Sequence, residues 1–386
     1  MNSTESRLID TLLDLWADSP AEAVSVRALV QRAETAQSSI HYHFGNVEHL
    51  YLSASRTALA KAEDWMKAQS AALGMLAVDP LSPALQASII ASIIAGWTGD
   101  ERRLAMAWRH APSADWQAAW ERFWGDVARM IGLGEYAGTI ACFAAGEAAR
   151  HLLVWHPLFD RALLEETTAA FVLWLRERRV QPDPVRAAYR AHALRRYDAP
   201  RSHLDRLNDP ISAAAAALLA EHGHAGVTFR AVAARAQVTL GKVVHVYGTK
   251  SELLHAALFS LYEREALRGD EAKLLARTVA PDVMMDGLLN SVLRGGQPVL
   301  AAYDEIERAI YNGEDHAALR GLVRAMEDPS GTWALEQLLG GPRPPASLVA
   351  AFSATIRGVG YRVLHAGSAQ ADLRGDAAAV LRPFQR

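Results

Sequence analysis

The feature that most constrains this chain is a gapless internal repeat. Residues 24–51, "VSVRALVQRAETAQSSIHYHFGNVEHLY", align with residues 227–254, "VTFRAVAARAQVTLGKVVHVYGTKSELL", at a constant offset of 203. Seven of the 28 columns are identical: those of Val24, Arg27, Ala28, Arg32, Ala33, Gly45 and Leu50. Four more are close in kind, namely Ser25/Thr228, Leu29/Val232, Ile40/Val243 and Phe44/Tyr247. The register extends upstream, where Leu15 meets Leu218. A period this long means a duplicated domain; solenoid units run only about 20–50 residues.

The repeat predicts the domain plan. Residues 1–51 and 205–255 are the two copies. Residues 52–180 and 256–386 are the segments that follow each copy, and 181–204 is a linker. Prolines bracket the linker region from Val180 to Pro210, and between Arg176 and Arg206 nine arginines stand against four acids. Elsewhere apolar residues recur at spacings of three and four, as in Leu8, Leu12, Leu15 and Trp16, and again in Ile306, Ile310, Leu319, Leu322 and Val323. Such spacing lines one face of a helix, and alternating strand patterns are scarce, so the fold class is all-α.

Each copy reads as three short helices with a tight turn before the third. Ser25 and Thr228 stand where a hydroxyl accepts a free amide N–H at the start of helix two. Glu34–Thr35 and Gln237–Val238 make the turns. The third helices run over Gln37–Phe44 and Leu240–Tyr247. Asn46 and Thr249 open a fourth helix, the latter within the capping box "TKSE". Two short helices across a tight turn form a helix-turn-helix, whose second helix presents its N-terminal residues to base edges in the major groove. In the first copy that helix offers Gln37, Ser38, Ser39, His41, Tyr42 and His43. Gln bonds bidentately to adenine, Ser reaches bases or phosphate, and Tyr and His suit phosphate oxygens. In the second copy Lys242 reaches guanine or phosphate, while Leu240 and Val244 fit thymine methyls beside His245.

The hydroxyl cap, the paired hydrophobes, the turn, "HYHF" at His41–Phe44 and "KSELL" at Lys250–Leu254 together resemble the DNA-binding domain of the TetR family of transcriptional regulators. The resemblance covers about 50 residues per copy; beyond it the chain fits the family in length and helicity. It implies two tandem helix-turn-helix heads, each followed by a helical-bundle body that binds a ligand and dimerises. One chain would then form an intramolecular pseudo-dimer, with a homodimer as the alternative. It also implies a double-stranded DNA operator, a hydrophobic small-molecule effector and no further cofactor. DNA-facing roles then fall to Ser25, Arg27, Gln37, Ser38, Ser39, His41, Tyr42 and His43. In the second head they fall to Thr228, Arg230, Thr239, Leu240, Lys242, Val244, His245 and Lys250. This chain departs from the family at the turn glycine, replaced by Glu34 and Gln237, and at the lysine after helix three, present as Lys250 but replaced by Val47.

Charge and composition temper the reading. The net charge is −3 and the pI near 6.5, without the basic footprint usual for nucleic-acid binding. Residues 1–51 carry three basic and seven acidic side chains, residues 205–255 five and four. A second reading follows, in which one or both heads have lost DNA and the chain is a ligand-binding or protein-interaction module. Trp116, Trp120 and Trp124 share a helical face, with Trp108 two turns earlier. Such a stripe serves either as core or interface packing or as a flat aromatic ligand pocket. The lone Cys142 forms no internal disulfide, which suits a reducing cytoplasm, and reads as a small buried hydrophobe. The oily run Ala84–Trp97 is too short to span a bilayer and reads as a core helix. No metal set, phosphate loop or nucleophile elbow is present, so the expectation is a non-enzyme; His151 and His156 near Glu147 are too loosely spaced to add one.

Overall fold

The first helix, α1 (Ser3–Asp18), exists because Leu8, Ile9, Leu12, Leu13 and Trp16 fall on one face, and that face is buried. It supports α2 (Val26–Arg32) and α3 (Gln37–Phe44), after which α4 (Val47–Gly74) leaves the head and runs 28 residues into the body. These elements come from a computed structural model that describes residues 3–18, 24–76, 81–152, 157–188, 209–250, 252–254, 256–257, 260, 280–293, 329–341, 343–366 and 373–385. Among the described residues there is no strand. The apolar positions Ile306, Ile310, Leu319, Leu322 and Val323, and most of the arginine-rich linker, lie outside them.

Contacts divide the chain into two units. The first holds residues 1–181 together with 351–383. Its body consists of α5 (Pro83–Thr98), α6 (Arg102–His110), α7 (Ala114–Met130), α8 (Ala137–His151) and α9 (Pro157–Glu177). The α5 helix exposes Ser88 and Ser92 on one face and packs the rest against α8 and α9, with Ile90, Ala91, Ile94 and Trp97 buried. Ser82 caps it, and the buried Gln86 donates through Nε2 to the Ile131 carbonyl at 2.6 Å. Among the described residues no helix is long and apolar enough to cross a membrane.

The second unit holds residues 182–350 and 384–386. It contains α10 (Pro210–Gly226), α11 (Phe229–Arg235) and α12 (Leu240–Val246), followed by α13 (Pro281–Leu293) packed on α14 (Pro329–Leu339). The unit boundary falls inside α15 (Ala346–Ala366), so that most of α15 and all of α16 (Leu373–Leu381) belong to the first unit.

There α8 and α15 cross in direct backbone contact. A Cβ added to Gly146 would lie 1.9 Å from the Ala354 carbonyl oxygen, and one added to Gly358 would lie 1.8 Å from that of Cys142. The two contacts are reciprocal along antiparallel helices, and glycine at both positions is the condition for the approach. Thr139 of α8 donates to the Val380 carbonyl of α16 at 2.9 Å, and Trp174 Nε1 donates to the Pro383 carbonyl at 2.9 Å. Cys142 is buried at this crossing, and burial pushes its thiol up to about 12, an inert small hydrophobe. Glu147, fully buried in α8, accepts from Arg150 at 2.7 Å and lies 3.1 Å from His151 Nε2; His156 is outside the described residues.

Candidate nucleic-acid interface

The two heads share one skeleton. Ser25 Oγ accepts the Ala28 amide at 3.1 Å, and Thr228 Oγ1 accepts the Ala231 amide at the same distance. Each second helix then ends in the same double closure. In the first head the Glu34 amide donates to Gln31 O at 3.3 Å and the Thr35 amide to Val30 O at 3.0 Å. In the second head the Gln237 amide donates to Ala234 O at 3.3 Å and the Val238 amide to Ala233 O at 3.0 Å. This Schellman arrangement needs a left-handed residue at its centre, normally glycine. Glu34 sits there at φ 48° and Gln237 at φ 55°. The missing turn glycines therefore leave the turn intact and load it with strain of about 1–2 kcal/mol per residue.

The third helices are held by their inner faces. Ile40 and Phe44 are buried in α3, and Val243 and Tyr247 are buried at the matching places in and just after α12. This fixes which residues face outward. In the first head Gln37, Ser38, His41 and Tyr42 are exposed, Tyr42 by 84 %. Ser39 and His43 lie at the flank. Ser39 Oγ accepts from Thr35 Oγ1 at 2.8 Å, and His43 packs edge-on against Tyr42 at 4.9 Å. His41 donates through Nδ1 to the Gly45 carbonyl at 3.0 Å, which leaves Nε2 as the ring atom for a ligand. In the second head Leu240, Gly241, Lys242, Val244 and His245 are exposed, and Thr239 Oγ1 caps the helix by accepting the Lys242 amide at 3.2 Å. Arg27, Arg230 and Lys250 are exposed as well. The Thr249–Glu252 capping box beside Lys250 is reciprocal, at 3.3 and 3.2 Å. Within each head, then, the predicted base-reading residues share one outward surface, with Ser39 and His43 at the margin of the first.

The acidity of the first head looks different once its neighbours are counted. Asp14 pairs with Arg103 at 2.7 Å, Asp10 with Lys61 at 3.4 Å, and Asp18 with Arg32 at 2.6 Å. Arg103 and Lys61 belong to α6 and α4, beyond the residues that a head-only charge count includes. These pairs are half exposed and add little stability. Their effect is to place compensating positive charge next to three of the seven acids.

The four tryptophans of the predicted stripe come together in the body. Trp108, Trp116, Trp120 and Trp124 are all buried, and Trp97 and Trp65 extend the cluster. Trp116 Nε1 donates to Ser55 Oγ at 3.1 Å and Trp120 Nε1 to the Ala141 carbonyl at 3.0 Å. Among the described residues, the indole N–H groups of Trp97, Trp108 and Trp124 are buried without an acceptor. A buried N–H that meets no acceptor is destabilising by about 1–3 kcal/mol.

Sequence reasoning missed a second tie between head and body, besides α4. The α6 helix lies against α1, where His110 stacks on Trp16 with ring centroids 5.7 Å apart and Arg103 meets Asp14. Its other side meets α15. Trp108 stacks on His365 at 5.2 Å, Arg109 donates to the Tyr361 hydroxyl at 3.4 Å, and the Ser113 amide donates to His365 Nδ1 at 3.2 Å. Burial holds His365 down to about 4, so its ring is neutral. Contacts between residues about 250 apart leave no local pattern to read. Among the described residues no cluster of His, Cys, Asp or Glu has the makings of a metal site.

Comparison with known families agrees with this geometry. The model for bacterial regulatory proteins of the tetR family matches residues 8–54 and again residues 211–257. The two matches are separated by the offset of the internal repeat. No curated protein matches the chain.

Proposed function

The chain is a transcriptional regulator of the tetR family that carries two DNA-binding units in tandem, and from that premise we propose that it is a repressor reading an asymmetric operator through two unlike helices. The observation that carries this is the contrast on a common scaffold. The turns and caps agree to within a tenth of an ångström, while the outward positions read Gln37, Ser38, His41, Tyr42 in one head and Leu240, Gly241, Val244, His245 in the other. Regulators of this kind use one head per half-site, spaced by a helical turn of DNA or a multiple of it. Identical heads require a palindrome; these heads ask for two different half-sites.

Relief by a ligand belongs to the same proposal. A hydrophobic molecule with hydrogen-bond acceptors suits the tryptophan-rich body, because three indole N–H groups there have none. Its differential affinity for two arrangements of the protein would shift the population that fits DNA. The contacts of α6 with α1 support this path, since movement of that helix acts on the first head through Arg103 and His110. The test is selection of bound fragments from random DNA, followed by sequencing. An asymmetric consensus is expected. A symmetric one overturns the reading, and failure to enrich any sequence favours heads that no longer bind DNA.

A further inference from the structure

We infer that the second head recognises thymine through its methyl group, with Leu240 and Val244 as the residues that determine this specificity. The inference rests on the proposal that this head binds its own half-site. Leu240 and Val244 lie four residues apart on α12 and so share a face. They are 45 % and 46 % exposed, whereas Val243 and Tyr247 on the other face are fully buried. The helix therefore has its packing residues already and presents two further apolar side chains to solvent. The same head exposes Lys242, His245, Lys250 and Arg230. Two acids of this head are engaged: Glu252 accepts the Thr249 amide at 3.3 Å, and Asp209 accepts the Tyr247 hydroxyl at 3.1 Å. An exposed apolar pair in a head that also exposes Lys242, Lys250 and Arg230 complements a polyanion that also carries apolar groups. Among the groups that base pairs show in the major groove, the C5 methyl of thymine is the apolar one.

Gly241 is an independent observation that agrees. It sits between Leu240 and Lys242 on the exposed surface, and a Cβ added there would meet nothing within 4 Å. Packing within the protein does not ask for glycine at this place, and glycine inside a helix is destabilising by about 1 kcal/mol relative to alanine. Its bare backbone lets the helix come closer to the base edges, near enough for the short Val244 side chain to reach a methyl group. In the first head the matching positions carry Gln37, Ser38 and His41, which have no comparable apolar reach. Methyl reading is thus confined to one half of the operator.

The experiment uses the full chain and the operator recovered by selection, with thymidine replaced by deoxyuridine one position at a time. Removing a buried methyl is worth about 0.8 kcal/mol, which corresponds to roughly fourfold in affinity. At least one replacement in the half-site of the second head is expected to weaken binding by about that factor, while replacements in the other half change it less than about twofold. Val244→Ala and Leu240→Ala, at exposed positions, should each erase the difference between thymidine and deoxyuridine at one base step. Gly241→Ala should weaken binding to the thymidine operator while leaving thermal stability equal or higher. If every replacement in both halves is silent while both half-sites are still required, methyl reading is overturned and the two-head reading stands. If scrambling the second half-site leaves binding unchanged, the two-head reading itself fails.

Discussion

The first and second heads close their turns in the same way, each around a residue that is not glycine. Glu34 and Gln237 both occupy a left-handed position, at φ 48° and 55°, and both turns close with the same pair of hydrogen bonds. Past the turn the heads differ. The α3 helix starts at Ala36 without a side-chain cap and ends at Gly45, φ 79°, where the rings of His41 and His49 donate to the carbonyls of Gly45 and Phe44. The α12 helix starts at Thr239 with a cap and gives way to Tyr247, whose hydroxyl reaches Asp209. Positions that face inward keep their size and polarity across the duplication, apart from the added hydroxyl of Tyr247. Outward positions of the third helix keep no residue in common, although Arg27/Arg230 and Arg32/Arg235 of the second helix are exposed and identical. Packing constrains the first set; under the proposed reading of two half-sites, DNA would constrain the second.

Changes outside the heads test whether the comparison depends on a common support. Gly146→Val would drive a side chain into the Ala354 carbonyl, and overpacking of this kind costs about 3 kcal/mol. The expected outcome is a lower midpoint in thermal unfolding, with binding to both half-sites reduced together. Acid should reach the same region. The His365 pKa is lowered to about 4 in the folded protein, so the unfolded chain takes up a proton first as pH falls below about 6.5. The contribution is fully present above that pH and is lost progressively down to about pH 4, amounting to about 3 kcal/mol. Denaturant unfolding at several pH values should show this loss, and His365→Phe should flatten it.

Changes on the reading faces should separate the heads. Gln37→Ala is expected to relax discrimination at one half-site by about 1–3 kcal/mol and leave the other unchanged. Lys242→Ala should weaken the opposite half and reduce the dependence of affinity on salt by about one unit of slope. Binding titrations against operators scrambled in one half or the other distinguish the two. Equal effects on both halves would break the comparison.

The smallest effects concern the shared skeleton. Thr239→Ala should cost the second head about 1 kcal/mol, and Ala36→Thr should give the first head a cap that it lacks, since Ala36 already has the extended backbone of an N-cap. Glu34→Gly and Gln237→Gly should each stabilise by about 1 kcal/mol through relief of the left-handed strain. Calorimetry should register the same sign for both glycine variants. Opposite signs would mean that the two turns are less alike than their dihedral angles.

The heads were legible in the sequence because what makes them is local. A hydroxyl three residues before the amide it accepts, a turn, and an inner face spaced by four all lie within about 25 residues, and the duplication stated them twice. The central position of the turn was legible as a departure from glycine but not as a conformation, because side-chain identity does not reveal φ. The crossing of α8 and α15 was not legible at all. Gly146 and Gly358 stand 212 residues apart, in stretches whose other small residues look the same. The pairing of Asp10 and Asp14 with Lys61 and Arg103 was not legible for a similar reason, since both partners lie outside the segment counted. The tryptophan stripe was read correctly as one face of α7, but spacing alone was silent on which indole N–H groups find an acceptor.

The glycine-to-backbone crossing also sets how the molecule responds to scarcity. Its two surfaces travel on one polypeptide, so thinning the solution does not pull α8 away from α15. A contact within one chain is first order in that chain, so this crossing persists at any dilution at which the chain stays folded.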